Sequence, residues 1–232
     1  MRNAVLAMLT AAAAAVVTSS PTPTAAADIV NIPSGEGRLA DLIRSEHLRA
    51  CGTSLTLVVQ HQALDRWRAR DMLDRNYFGH RIPGGSYYWD HFRRFGIEDW
   101  VSPYASEILA TNTYVASDYS GGTRAYNDFM DSAPHRGAIR NCSYNTFGVG
   151  GYREGSRRDF AVTFSRQPTE RTTMNSRVRT GPGTSYDTIE IVPVATRQIV
   201  FLHRNDANGH RWDSGYVAGV AARGWMPDSS TK

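Results

Sequence analysis

The chain has 232 residues, with 26 arginine and lysine side chains against 22 acidic ones and a formal charge of +4. Hydrophobic residues make up 41% and charged residues 21%, an ordinary balance for a soluble globular protein with room for one or two domains. Only Lys232 is lysine, and no basic run interleaves with aromatics, so a nucleic-acid partner is not expected.

The first stretch, residues 1–27, has the make-up of an export signal. Arg2 supplies the positive end, residues 4–17 are apolar and rich in alanine, Pro21 and Pro23 break the run, and Ala25-Ala26-Ala27 offers a small-residue cleavage site. The apolar run is short for a membrane span, and no second one follows. The expectation is a secreted, extracellular or cell-wall-associated protein without a transmembrane segment once the signal is removed. Cys51 and Cys142 suit that compartment. They contain no CxxC pair for a zinc motif, and in an exported chain they favour one disulfide over two buried thiols.

Residues 37–50 read as a helix with an apolar stripe of Leu39, Leu42, Ile43 and Leu48, and Gly52 follows its end. Residues 61–77 read as a second helix that is less cleanly amphipathic. Gly79 suits the left-handed residue that ends it, and Pro83 cannot continue it, so His80 is delivered onto an irregular loop. Residues 86–95 form a short helix stopped by Gly96, and residues 100–113 read as a loop entering a helical turn. Gly121-Gly122 precedes a helix over 123–132, which Pro134 ends directly before His135. Residues 145–153 and 158–166 alternate apolar and polar around a Glu154-Gly155-Ser156-Arg157 turn, which predicts a β-hairpin. Helices followed by a strand pair predict an α+β domain over residues 28–168.

Residues 167–170 read as a linker, and the texture then changes. Short β-like runs at 189–194, 198–203, 212–217 and 224–226, punctuated by glycine, predict a small all-β barrel within residues 169–232.

Two resemblances follow from these residues. Met72, Tyr77-Phe78-Gly79-His80 and Pro83-Gly84, then Ser106-Glu107-Ile108, then Phe129 and Ser132-Ala133-Pro134-His135-Arg136, then Phe147-Gly148-Val149-Gly150, Phe160 and Phe164, stand in an order that resembles the CAP superfamily of cysteine-rich secretory, antigen 5 and pathogenesis-related proteins. The resemblance implies an α-β-α sandwich with a cleft lined by His80, Glu107 and His135. The family's second acidic position falls near Asp131 or Ser132; matched to Ser132, the resemblance implies that this carboxylate is absent, and Ser106 and Ile108 replace the glycine and asparagine beside the glutamate. The C-terminal part resembles bacterial SH3-like domains through Asn175-Ser176-Arg177-Val178-Arg179-Thr180-Gly181-Pro182-Gly183-Thr184-Ser185-Tyr186, Trp212 and Gly224-Trp225-Met226. Such domains commonly hold exported proteins to peptidoglycan or bind peptides.

The implied chemistry is a cleft in which His80 and His135 could ligate zinc, with Glu107 as outer partner, third ligand or base. No HExxH helix or activated serine is present. The leading expectation is therefore a ligand-binding CAP protein, taking a lipid, small molecule or wall component, anchored to peptidoglycan or another cell-wall polymer by the SH3-like domain. The alternative is a metal-dependent hydrolase of wall peptides or proteins. Tyr77, Phe78, Tyr87, Tyr88 and Trp89 are candidates for an apolar groove or for core. In the second domain Tyr186, Trp212 and Trp225 form a possible ligand platform, with Trp225 expected in the core.

Overall fold

A computed structural model describes residues 27–218 and 223–231; the expected export signal therefore lies, but for its last residue, outside the described residues. The first domain is built on a six-stranded sheet centred on β6 (Arg157–Ser165). Along one edge β6 pairs antiparallel with β3 (Ala105–Asn112). Along the other it pairs with β5 (Gly150–Glu154) and, further on, β4 (Thr146–Phe147). β1 (Ile29–Asn31) and β2 (Thr56–Leu57) complete the sheet beside β5 and β4.

Helices cover both faces, as the α-β-α expectation requires. The strand period of two sorts β6 into two sets. Phe160, Val162 and Phe164 face α1 (Pro33–Cys51), α3 (Asp118–Asp131) and α4 (Ala133–Ile139), where they meet Leu39, Ile43, Ala125, Phe129 and Ile139 in the main core. Ala161, Thr163 and Ser165 face α2 (Val59–Asp74). That second interface is partly polar, which explains the weak amphipathicity of the α2 sequence.

Several local expectations need correction. α1 starts four residues earlier than its periodicity suggests, because Pro33 fits a first helical turn, where no N–H is needed. Leu48 is exposed, and His47 takes the buried place, its Nδ1–H donating to the Ile139 carbonyl at 2.8 Å. α2 stops at Asp74, and the left-handed residue after it is Asn76 (φ 47°) rather than Gly79. Residues 105–112 form the strand β3, not a helical turn. Gly121 and Gly122 lie inside α3; a Cβ on Gly122 would stand 2.3 Å from the Gly35 carbonyl oxygen, so glycine permits the close contact of α1 with α3. Pro134 opens α4 instead of ending a helix, which places His135 within that helix.

The second domain is an antiparallel sheet of β7 (Thr169–Arg171), β8 (Ser176–Arg179), β9 (Thr188–Val192), β10 (Arg197–Asn205), β11 (Arg211–Val217) and β12 (Arg223–Pro227). The expected strands are present, but among the described residues they do not close into a barrel. The order β7-β10-β11-β12-β8-β9 is open, with β7 and β9 as edges, and beyond it an isolated bridge joins Thr172 to Thr231. Its core is Val178, Val192, Val217 and Met226, while Trp225, expected there, is only half-buried. The domain rests on the N-terminal end of α2, where Val58 packs with Ile199 and Tyr216 and the Val59 N–H donates to the Tyr216 hydroxyl at 3.1 Å.

Cys51 and Cys142 form the expected disulfide, with α-carbons 5.3 Å apart, joining the end of α1 to the segment just after α4. The bond spans 91 residues, for which loop closure alone is worth about 4 to 5 kcal/mol. The paired Cys51→Ala and Cys142→Ala variant is expected to lose up to that much unfolding free energy in urea titrations. A loss under about 1 kcal/mol would show that the cross-link does little to restrict the unfolded chain.

Candidate cleft around His80 and His135

Glu107 and the loop that carries His80 are positioned by one buried cation. Arg68 lies on the face of α2 turned towards the sheet, with its side chain fully buried. Glu107, on the α2-facing side of β3, is 1% exposed. Arg68 Nε donates to Glu107 Oε1 at 2.8 Å and Nη2 to Oε2 at 3.3 Å. The remaining donors hold the loop after α2: Nη1 reaches the Tyr77 hydroxyl at 2.5 Å, and Nη2 reaches the Gly79 carbonyl at 2.8 Å. The Tyr77 hydroxyl in turn donates to Asp71 Oδ2 at 2.5 Å. Burial, then that bond to Asp71, pushes the Tyr77 hydroxyl up to about 12. Arg157 clamps the same loop from the hairpin, donating to Asn76 Oδ1 at 3.0 Å and to the Tyr77 carbonyl at 2.8 Å.

His80 stands at the end of this loop with its side chain 52% exposed. Its Nδ1 lies 2.9 Å from Glu107 Oε2. A carboxylate accepts, so Nδ1 carries the proton and Nε2 is left as the acceptor nitrogen. His135 is half-buried on α4, its ring edge-on to Phe129 at 5.3 Å. Burial, and secondarily the charge of His80, hold the His135 ring below the usual histidine range, which favours its neutral form. The charge of His80 thus reaches His135. Ser132 lies at the α3–α4 junction, half-buried, its carbonyl accepting the Arg136 N–H at 2.8 Å.

No protein-family profile matches the sequence, and no curated protein does. Solved structures do match the first domain. An outer surface protein from Borrelia burgdorferi aligns over 61% of this chain and 99% of its own, at 14% identity and a TM-score of 0.51. An extracellular protein containing an SCP domain, from Bacillus anthracis, aligns over 58% of this chain but only 41% of its own, at 23% identity and a TM-score of 0.50. The first domain has a CAP-like fold. The secreted protein Ac-ASP-7 from Ancylostoma also aligns, over 58% of this chain and 70% of its own, at 14% identity and a TM-score of 0.40.

Within the CAP-like domain, the sequence singled out His80, Glu107 and His135 but missed Arg68, which ties the first two together. The signal was present as charged or polar residues at His61, Asp65 and Arg68, spaced to fall on one helical face. All three are fully buried. His61 Nε2 lies 2.6 Å from Ser165 Oγ, and burial holds its ring down to about 3. Asp65 accepts from Thr163 Oγ1 at 2.6 Å and from its N–H at 3.1 Å, while burial, only partly opposed by those bonds, pushes its carboxyl well up. Of the aromatic candidates, Tyr88 is core, packed on Phe92, whereas Phe78 and Trp89 are exposed.

The donor set restricts any metal. Among the described residues, His80, Glu107 and His135 do not bring three ligand atoms within 4.8 Å of one another. Both Glu107 oxygens already accept from Arg68 or His80. A closed four-ligand zinc site does not fit. That leaves the His80 and His135 rings as candidate ligands, with Glu107 behind His80 as carboxylates stand behind metal-binding histidines.

Two measurements test this geometry. Arg68→Gln strands the buried Glu107 charge and should cost about 3 to 5 kcal/mol of stability. Adding Glu107→Gln to that background should recover part of the loss; strict additivity in denaturant unfolding would show that the two side chains are not coupled. In an NMR titration, His135 should titrate below an ordinary histidine and move upward in a His80→Ala variant. An unchanged midpoint would mean the rings are too far apart to share a ligand.

Proposed function

We propose that the chain is an exported protein whose CAP-like domain captures a ligand at its histidine cleft, while the second domain attaches it to the cell wall. The observation that carries the first part is the relay from Arg68 through Glu107 to His80. It engages His80 Nδ1 and leaves Nε2 outside that contact, and His135, whose surroundings favour the neutral ring, lies near enough for the charge of His80 to act on it. When both rings are neutral, the pair suits a ligand that donates hydrogen bonds, or zinc bound weakly through His80 and His135. When bound, zinc would supply an electrophilic centre for a ligand oxygen. The exposed Phe78 and the depression of about 580 Å³ lined by Tyr77, Phe78, Arg81, Ile82 and Pro83 add apolar surface beside the same loop, which supports a lipid or other amphiphile.

Binding is favoured over hydrolysis. A hydrolytic base must reach a water, but Glu107 is 1% exposed and its oxygens are engaged by Arg68 and His80. Export is supported by the composition of residues 1–27, by the disulfide, and by the absence, among the described residues, of a helix long and apolar enough to cross a membrane. The wall attachment is supported by a groove of about 540 Å³ in the second domain. Arg177, Arg179, Arg211, Trp212 and Asp228 line it, and the indole N–H of Trp212 donates to Asp206 Oδ2 at 3.1 Å. Such a groove matches a polymer with carboxylate groups and apolar patches.

The test uses purified mature protein with cell-wall sacculi and with zinc. Wild type should sediment with the sacculi and bind zinc at neutral pH, and the zinc should be released as the histidines protonate. The paired His80→Ala and His135→Ala variant should lose zinc but keep sedimenting. Zinc retained by that variant, or a folded protein that stays in the supernatant at low salt, would sink the respective half of the reading.

A further inference from the structure

Away from the cleft, the second domain gathers three carboxylates. Glu170 on β7, Asp213 on β11 and Asp228, which follows β12, each place an oxygen within 4.8 Å of the other two. An ion of calcium size holds its oxygens at about 2.3 to 2.6 Å, so two ligands of one ion can stand no more than about 5 Å apart. The three oxygens meet that limit. Acidic groups often cluster without binding anything, and the trio alone decides nothing.

Two buried oxygens carry the argument further. Asp213 is fully buried. Its Oδ1 faces His203 Nδ1 and accepts from Arg211 Nε at 3.2 Å, but its Oδ2 is buried with no donor. Gln198, also fully buried, lies directly opposite Glu170 in the β7–β10 pairing, so both side chains stand on one face of the sheet. The Gln198 Nε2 donates to the main-chain carbonyl of Asp213 at 3.0 Å, which ties its amide to the strand carrying one of the three carboxylates, and its Oε1 again has no donor. Buried oxygens in folded proteins nearly always have a partner. Here two from separate strands lack one beside three negative groups.

The charge points to the missing partner. Arg211 Nε is 3.2 Å from Asp213 Oδ1 and 3.7 Å from Asp228 Oδ1, so this guanidinium offsets one of the three carboxylates. Three carboxylates thus face one guanidinium and the His203 ring, an excess of negative groups that a cation would offset. All four candidate donors are oxygens, which suit calcium or magnesium rather than zinc. Magnesium demands near-octahedral geometry and gives up its water reluctantly, whereas calcium accepts irregular oxygen cages. Asp228 is half exposed and gives the ion a route in.

We propose that Glu170, Gln198, Asp213 and Asp228 form a calcium site, separate in place and in donor chemistry from the histidine cleft. Glu170 lies on the edge strand that opens the domain, and Asp228 in its last turn. Without the ion, these ends are joined by the Thr172–Thr231 bridge and by the Thr231 hydroxyl, which donates to Glu170 Oε2 at 2.7 Å. Calcium would add a third tie.

The experiment is calorimetric titration of the full chain, freed of metal by chelation, with calcium, magnesium and zinc chlorides in turn, alongside thermal unfolding. One calcium per chain should bind with a rise in melting temperature. Glu170→Gln and Asp228→Asn, both away from the buried core and checked for fold by circular dichroism, should each weaken calcium binding by at least roughly tenfold. The paired His80→Ala and His135→Ala variant should bind calcium as wild type does. Absence of calcium and magnesium heat at millimolar concentration in wild type would overturn the site. So would undiminished binding in Glu170→Gln, or loss of calcium in the histidine variant.

Discussion

The buried pair of Arg68 and Glu107 is the constraint on which the rest of the first domain turns. It is one rung of three between α2 and the sheet, with His61 against Ser165 and Asp65 against Thr163 as the others. The helix presents them at steps of four and three residues, and the strands answer on alternate positions, with Glu107 directly opposite Thr163. A buried ion pair adds little net stability, because desolvation consumes most of its attraction. What these rungs supply here is register. Turning α2 by one residue, about 100°, would leave a guanidinium, a carboxylate and an imidazole facing apolar surface at once. The same guanidinium that sets the helix also grips the backbone at Gly79, so the placement of His80 follows from how α2 docks.

How much of this could be read from the sequence depended on which physics a segment displayed. Strand alternation in the β5–β6 hairpin was legible because one face of β6 carries Phe160, Val162 and Phe164 and the other the smaller or polar Ala161, Thr163 and Ser165, and the glycine-punctuated strands of the second domain were legible from their turns. β3 was not legible. It is buried on both faces over residues 107–110, so its Glu-Ile-Leu-Ala shows no alternation and consists largely of residues that also favour helices. Arg68 was hidden for the opposite reason: an arginine among other arginines in a helix reads as a solvated face, and only its partner thirty-nine residues away on β3 reveals otherwise. The cleft histidines were found through ordered motifs rather than periodicity. Their supporting helices were misjudged by a few residues, because Asn76 took the left-handed turn expected of Gly79 and Pro134 began a helix.

The open order of the second sheet has a similar origin. Counting strands reveals that a small β-domain exists but not whether its first and last strands meet. Here β7 and β9 share no strand pairing among the described residues, and their ends are joined instead through Thr172, which bonds to the Pro193 carbonyl just after β9 and bridges to Thr231. The contact between domains is likewise invisible in composition. It rests on Tyr216 reaching the first turn of α2, at the far end of that helix from the His80 loop. With sixteen residues at 1.5 Å each, α2 spans about 24 Å, so the two domains meet well away from the cleft.

The cross-link between Cys51 and Cys142 has a consequence for resistance to proteases. His80, Glu107, Ser132 and His135 all lie within the 91-residue ring that it closes, and so does Arg68. A protease that nicks one exposed loop in that ring, such as the segment around Tyr114, which is 90% exposed, opens the chain without separating its pieces. Both fragments stay covalently joined, and the packed sheet and helices keep them in place. Such a molecule would run intact until reduced, and its cleft would outlast the first cut.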